Sequence, residues 1–218
     1  MSRSYLAALL GLALLMPNAG LAQSPAQKAA VAAKALSPAE RALVDQASAY
    51  LEGLSQAKGR FLQTDARGGQ IRGDLFLQRP GKVRFAYDAP RGLIVVSDGY
   101  NVSVADSRLK TFDKYPLGAT PLALLLARHV RLDQGVVIDK VIQTGDGFSI
   151  QARDGRKQAE GKIELVFANS PLTLRSWTVS DAQGQSTRVE ILELKPVSGL
   201  SASLFQLRDP RVLPTTRR

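Results

Sequence analysis

The chain has 218 residues, 44% of them hydrophobic and 22% charged, with a formal net charge of +10, one histidine and no cysteine. That is enough apolar material for one domain with a real core, and the missing cysteine excludes a disulfide framework, a thiolate metal site and a cysteine nucleophile. The basic residues are dispersed, with no recognition helix, zinc module or RNA-binding motif, so nucleic acid is not an expected partner, and the charge suits an acidic lipid surface or acidic partner better.

The first segment carries Arg3, then an apolar run from Leu6 to Met16 too short to span a bilayer, then Pro17 to Ala22 ending in small residues. This predicts a cleaved secretory signal over residues 1–22, with a retained membrane anchor as the alternative. No cysteine follows to carry a lipid, so a soluble rather than tethered protein is expected, with a net charge of about +9 once Arg3 is removed. Residues 23–36 form an Ala- and Lys-rich leader, and residues 37–218 are expected to be the folded domain.

Ser37-Pro38-Ala39-Glu40 combines a helix N-cap, a proline at the first helical position and a capping-box glutamate. The helix is expected to run to about Ala57, with Leu43, Val44, Ala47, Tyr50, Leu51 and Leu54 on one apolar stripe. From Gly59 the pattern changes to strands. Gly59 to Ala66 is the first, and Gly73 to Pro90 reads as a hairpin: Ile71, Gly73, Leu75 and Leu77 share one face, as do Val83, Phe85 and Tyr87 in the return run. Pro80 and Gly81 suit the centre of a type II turn. Period two places Arg79 on the apolar face, where a guanidinium needs a partner; the alternative is that it bends out to water from the strand end.

Leu93 to Ser97, Tyr100 to Ala105 and Leu109 to Tyr115 follow as strands with short turns, which forces antiparallel pairing. Thr120-Pro121 starts a short helix that is apolar all round from Leu122 to Ala127, a segment suited to a plug or lid or to a core helix in the curve of the sheet. Strands resume at Val136 to Gln143, Phe148 to Arg153, Lys162 to Phe167, Leu172 to Asp181 and Thr187 to Leu194, with a weaker candidate at Leu204 to Leu207. The total is about eleven strands, a mostly β (α+β) domain whose sheet must curl around a dry concave face.

No phosphate-binding glycine loop, zinc-protease motif or nucleophile elbow occurs. His129 has no acid partner or nucleophile in view, and Asp98, Asp106, Asp146 and Asp154 fit turns. Catalysis, a metal and a cofactor are therefore not expected; what remains is binding by aliphatic and aromatic groups.

Phe61-x-Gln63, Gly73-Asp74-Leu75-Phe76-Leu77 running into Arg79-Pro80-Gly81, Phe85-x-Tyr87 before Pro90, Val96-Ser97-Asp98-Gly99 and Thr120-Pro121-Leu122 to Ala127-Arg128, in that order, resemble the LolA family of periplasmic outer-membrane lipoprotein carriers. The resemblance covers most of the chain, as far as Phe205 and Pro210. It implies an unclosed antiparallel β-barrel with helices over a hydrophobic cavity, and a monomeric, non-enzymatic periplasmic carrier. The implied partners are acylated lipoproteins, the inner-membrane Lol ABC transporter and, if present, the outer-membrane receptor LolB. The family's arginine before proline, which latches the lid, falls on Arg79. Candidate cavity residues for acyl chains are Leu75, Leu77, Val83, Phe85, Tyr87, Leu122, Leu125, Leu126, Phe148 and Ile150. The sequence departs from the family where an aromatic often replaces Val83 and tryptophan replaces Phe76 and Phe85, and its long leader is unusual. The alternative reading is a lipid sensor, or a carrier of another lipid, on the same half-barrel.

Overall fold

A computed structural model describes residues 35–126, 136–155, 161–181 and 183–209. Helix α1 (Pro38–Gly53) opens on the expected capping box: the Glu40 amide donates to Ser37 Oγ at 3.2 Å, and the Ser37 amide donates to Glu40 Oε2 at 2.8 Å. It ends at Gly53, earlier than the apolar stripe suggests. Residues 56–58 are already in a strand, where Ala57 pairs with Leu77 on one side and Pro196 on the other. Two cross-strand ladders outweigh one further helical turn beyond a glycine.

The strands are β1 (Gln56–Thr64), β2 (Gln70–Gln78), β3 (Lys82–Tyr87), β4 (Leu93–Asp98), β5 (Asn101–Asp106), β6 (Thr111–Pro116), β7 (Val136–Gln143), β8 (Gly147–Asp154), β9 (Lys162–Asn169), β10 (Leu172–Ser180) and β11 (Ser186–Pro196). They form one antiparallel eleven-stranded sheet in the order β6-β5-β4-β3-β2-β1-β11-β10-β9-β8-β7. Every neighbour but one follows in sequence; the junction of β1 with β11 closes the middle. The chain thus walks from the centre to one edge, β6, and resumes at the opposite edge, β7. Those edges do not pair, so the barrel stays unclosed. The connection leaving β6 carries a 3-10 turn (Leu117–Ala119) and then α2 (Leu122–Leu126).

Two other expectations shift. Strand β6 begins at Thr111, because residues 107–110 make the turn, with Lys110 at a φ of 55°. The candidate strand at Leu204 to Leu207 is instead a 3-10 helix (Ala202–Phe205), which buries Phe205 and gives the Leu204 carbonyl to Arg84 Nη1 at 3.1 Å. His129, Ala127, Arg128 and Pro210 lie outside the described residues.

The inner face follows the alternation of the sequence. In β3, Val83, Phe85 and Tyr87 are buried while Lys82, Arg84 and Ala86 are not. Helix α1 lays Val44, Ala47 and Leu51, all at most 1% exposed, onto this face, with Leu43, Tyr50 and Leu54 flanking. Outside, Arg60 bridges two strands by donating to Asp74 at 2.9 Å and to both oxygens of Asp88 at 2.9 and 2.6 Å. Among the described residues no helix is long and apolar enough to cross a membrane.

Candidate functional site

The hairpin of β2 and β3 supplies one wall of the interior. Leu75 lies opposite Phe85 and Leu77 opposite Val83, so four apolar side chains meet on the concave side near the turn of the hairpin. Against them stands α2, with Leu122, Leu125 and Leu126 at 3%, 6% and 1% exposure; a helix this apolar has its leucines inward. Leu51 of α1, its C-cap Leu54, Leu174 and Trp177 of β10 and Ile191 and Leu194 of β11 complete a lining that is apolar apart from Arg79.

The space they enclose is about 20 Å³, little more than one water molecule. The concave face is therefore closed by its own leucines, not held open as a wide cavity. The reason is energetic: a dry apolar void of about 400 Å³ would cost on the order of 10 kcal/mol at about 24 cal/mol per Å³.

Seven of the ten candidate cavity residues line this space: Leu75, Leu77, Val83, Phe85, Leu122, Leu125 and Leu126. Three are buried elsewhere. Tyr87 stacks edge-on against Phe61 at 5.2 Å, its hydroxyl donates to Gln63 Oε1 at 2.6 Å, and burial raises its phenol far above the usual range. Phe148 lies parallel to Phe167 at 5.2 Å, and Ile150 is fully buried beside them in β8. Alternation along a strand marks the inner face but not the position along it, so it does not distinguish these three from the other seven.

Arg79 stands where the apolar space meets a polar cleft of about 440 Å³ bordered by Gln78, Lys82, Asp98, Tyr100, Ala123 and Leu126. Its Nε and Nη2 are buried, and its pKa falls to about 10 because burial disfavours the cation, with Glu52 of α1 pulling the other way. The side chain lies in the wall beside α2 and not out in water.

A second contact at this point was not visible in the sequence. The Gly81 amide donates to the Leu126 carbonyl at 2.8 Å, tying the hairpin turn to the last turn of α2. Gly81 has a φ of 75°, and a Cβ there would come within 2.7 Å of Gly99 Cα. Ser97 Oγ, fully buried, donates to the Gly81 carbonyl at 2.6 Å and fixes the turn against the next hairpin. The Val96-Ser97-Asp98-Gly99 motif therefore does more than turn the chain: it positions the backbone that touches the lid. The Thr120 hydroxyl donates backwards to the Leu117 carbonyl at 2.8 Å, bracing the entrance to α2.

A protein-family model described as "Outer membrane lipoprotein carrier protein LolA" matches residues 52–208, from the last turn of α1 past the final 3-10 helix. The chain belongs to the LolA family. Similar LolA-family relatives carry the name "Outer-membrane lipoprotein carrier protein". One from Chromobacterium violaceum is 26% identical over 192 residues, covering 84% of this chain and 91% of its own. Another, from Pseudomonas syringae pv. tomato, is 30% identical over 184 residues, covering 74% and 81%. A crystal structure of a DUF1329 family protein from Desulfovibrio piger matches with a TM-score of 0.52 at 9% identity over 77% of this chain and 96% of that one. At that identity the likeness concerns the fold alone.

Proposed function

We propose that this protein is a periplasmic carrier that shields the acyl chains of lipoproteins and moves them from the inner-membrane Lol ABC transporter toward the outer membrane, delivering to a LolB receptor where one exists. The observation that carries the reading is the all-apolar hollow between β2, β3, β10 and β11, roofed by the leucines of α2 and flanked by Arg79. Membership of the LolA family and the names of its relatives support it.

The physical need is clear. One myristoyl chain binds a bilayer with a constant of about 10⁴ M⁻¹ and two chains anchor stably, so a three-chain lipoprotein does not cross water unaided. A carrier must cover that surface at roughly 25 cal/mol per Å² and must also let go. Opening the lid costs the contacts of Leu122, Leu125 and Leu126; acyl chains entering the hollow replace them with their own. The exchange is close to balanced, so loading is driven by a membrane partner and release by a more apolar acceptor. Arg79, a cation in the wall of an apolar space, weakens the grip on the last acyl segment and favours closure. Native mass spectrometry of the protein isolated from periplasm tests the reading. Mass shifts of whole lipoproteins are the expected result; bound free phospholipid or terpenoid in their place would transfer the protein to the lipid-sensor class.

A further inference from the structure

Strands β10 and β11 pair over only part of their length. The ladder runs from Ser180 opposite Ser186 to Ser176 opposite Glu190 and stops there. Beyond it β10 continues through Leu174 and Leu172, bonded to β9 on its far side, while β11 continues through Ile191 to Pro196, bonded to β1 on its far side. Both strands carry a bulge at the fork. Arg175 is the extra residue in β10, between partners Phe167 and Val166, and Leu192 is the extra residue in β11, between partners Ile191 and Glu193 of the β1 register. Beyond these facing bulges, among the described residues, no strand pairs with the edge that each strand turns toward the other.

The resulting slot measures about 520 Å³. A strand residue occupies roughly 160 Å³ at about 3.3 Å rise, 4.8 Å strand spacing and 10 Å layer thickness, so the slot holds about three residues of extended chain. Its rim carries both signs of charge, with Arg175 and Arg188 near Glu190 and Glu193, and Leu192 is 51% exposed. Its floor is Leu174, Ile191 and Leu194, the same three side chains that line the apolar hollow. A groove whose floor is the wall of the acyl space, and whose sides are two open strand edges, fits a ligand that is part hydrocarbon and part extended peptide.

We propose that this slot binds the first few residues that follow the acylated residue of a lipoprotein, as a short strand inserted between β10 and β11, with the acyl chains passing inward over Leu174, Ile191 and Leu194. The inference rests on the carrier reading and adds the peptide half of the cargo to it. Because main-chain bonds hold the segment and the rim charges are mixed, binding is indifferent to the peptide's side chains. One carrier can then serve many cargoes.

The test uses the full chain and a synthetic tripalmitoylated cysteinyl hexapeptide in dilute detergent, with binding followed by fluorescence of Trp177, the single tryptophan. A photo-crosslinking amino acid at Leu192 should capture the peptide residues nearest the acylated cysteine, while the same group at exposed Leu109 should not. Methylating the second and third peptide nitrogens should weaken binding about tenfold while leaving an acylated cysteine amide without peptide unaffected. If the lipopeptide binds but crosslinks equally from both positions, and N-methylation changes nothing, the slot is overturned and the carrier reading stands. If neither acylated compound binds at all, both fail together.

Discussion

Arg79 is where the two halves of the site touch, and its energetics set what its removal should do. Its pKa is lowered to about 10 because burial penalises the charged form. The sign follows: that penalty is present at every pH below about 10 and is relieved only as pH rises through it. Between pH 5 and pH 9 the side chain stays charged, and its part in release is expected to be independent of pH there, as stopped-flow lipopeptide dissociation would show. Arg79→Leu converts that part of the wall to hydrocarbon. Loading should persist, while dissociation to acceptor vesicles should slow by about four- to fifteenfold, equivalent to one or two buried methylenes at about 0.8 kcal/mol each. Equal dissociation rates for the two proteins would remove Arg79 from the release step.

On the outer face the same scale gives an acid limit. Hydrogen bonds from Arg60 hold the Asp88 carboxyl below its usual pKa. A depressed carboxylate stabilises the fold above its unfolded pKa of about 3.9 and loses that contribution as pH falls through the folded value. Thermal midpoints of the protein and of Arg60→Met should therefore differ at pH 6 and draw together as pH falls through and below the usual carboxylate range.

At the scale of elements, the hairpin turn and the lid act as one unit. Gly81 gives its amide to Leu126 and has no room for a side chain, since its Cβ would meet Gly99. Gly81→Ala is expected to cost about 1–3 kcal/mol, from the positive φ and the collision together, read as a lower urea midpoint. Leu126→Ala separates folding from binding. The empty protein should lose about 2–4 kcal/mol as the truncated leucine leaves a hole. Acyl affinity should stay equal or rise, because cargo fills the same space and there is less lid contact to displace. A parallel fall in both quantities would mean that the lid is core and not a cover.

For the molecule as a whole, an unclosed sheet is what makes a cover possible. With β6 and β7 at opposite edges, the concave face has an open side, and the segment connecting those edges brings the leucines that fill it. Hydrogen exchange on lipopeptide binding should speed at Leu122–Leu126 and leave β2, β3 and β4 unchanged; uniform slowing throughout would argue for a rigid pocket.

The strands were legible because each has one wet and one dry face, so Leu75, Leu77, Val83 and Phe85 declare their side at period two, and the capping box at Ser37 and Glu40 declares the helix start. The order of motifs carried the family. Alternation says which way a side chain points but not how far along the strand the walls converge, and so it does not separate Tyr87, Phe148 and Ile150 from the residues that border the hollow, nor does it point to Leu51, Leu174, Trp177, Ile191 and Leu194 there. Those depend on pairing β1 with β11 across most of the chain. The bond from Gly81 to Leu126 and the fork at Arg175 and Leu192 depend likewise on backbone geometry, which residue types only permit. Local chemistry determined the elements and their dry faces; the packing of distant segments decided that the dry face is shut, what shuts it, and where it opens sideways.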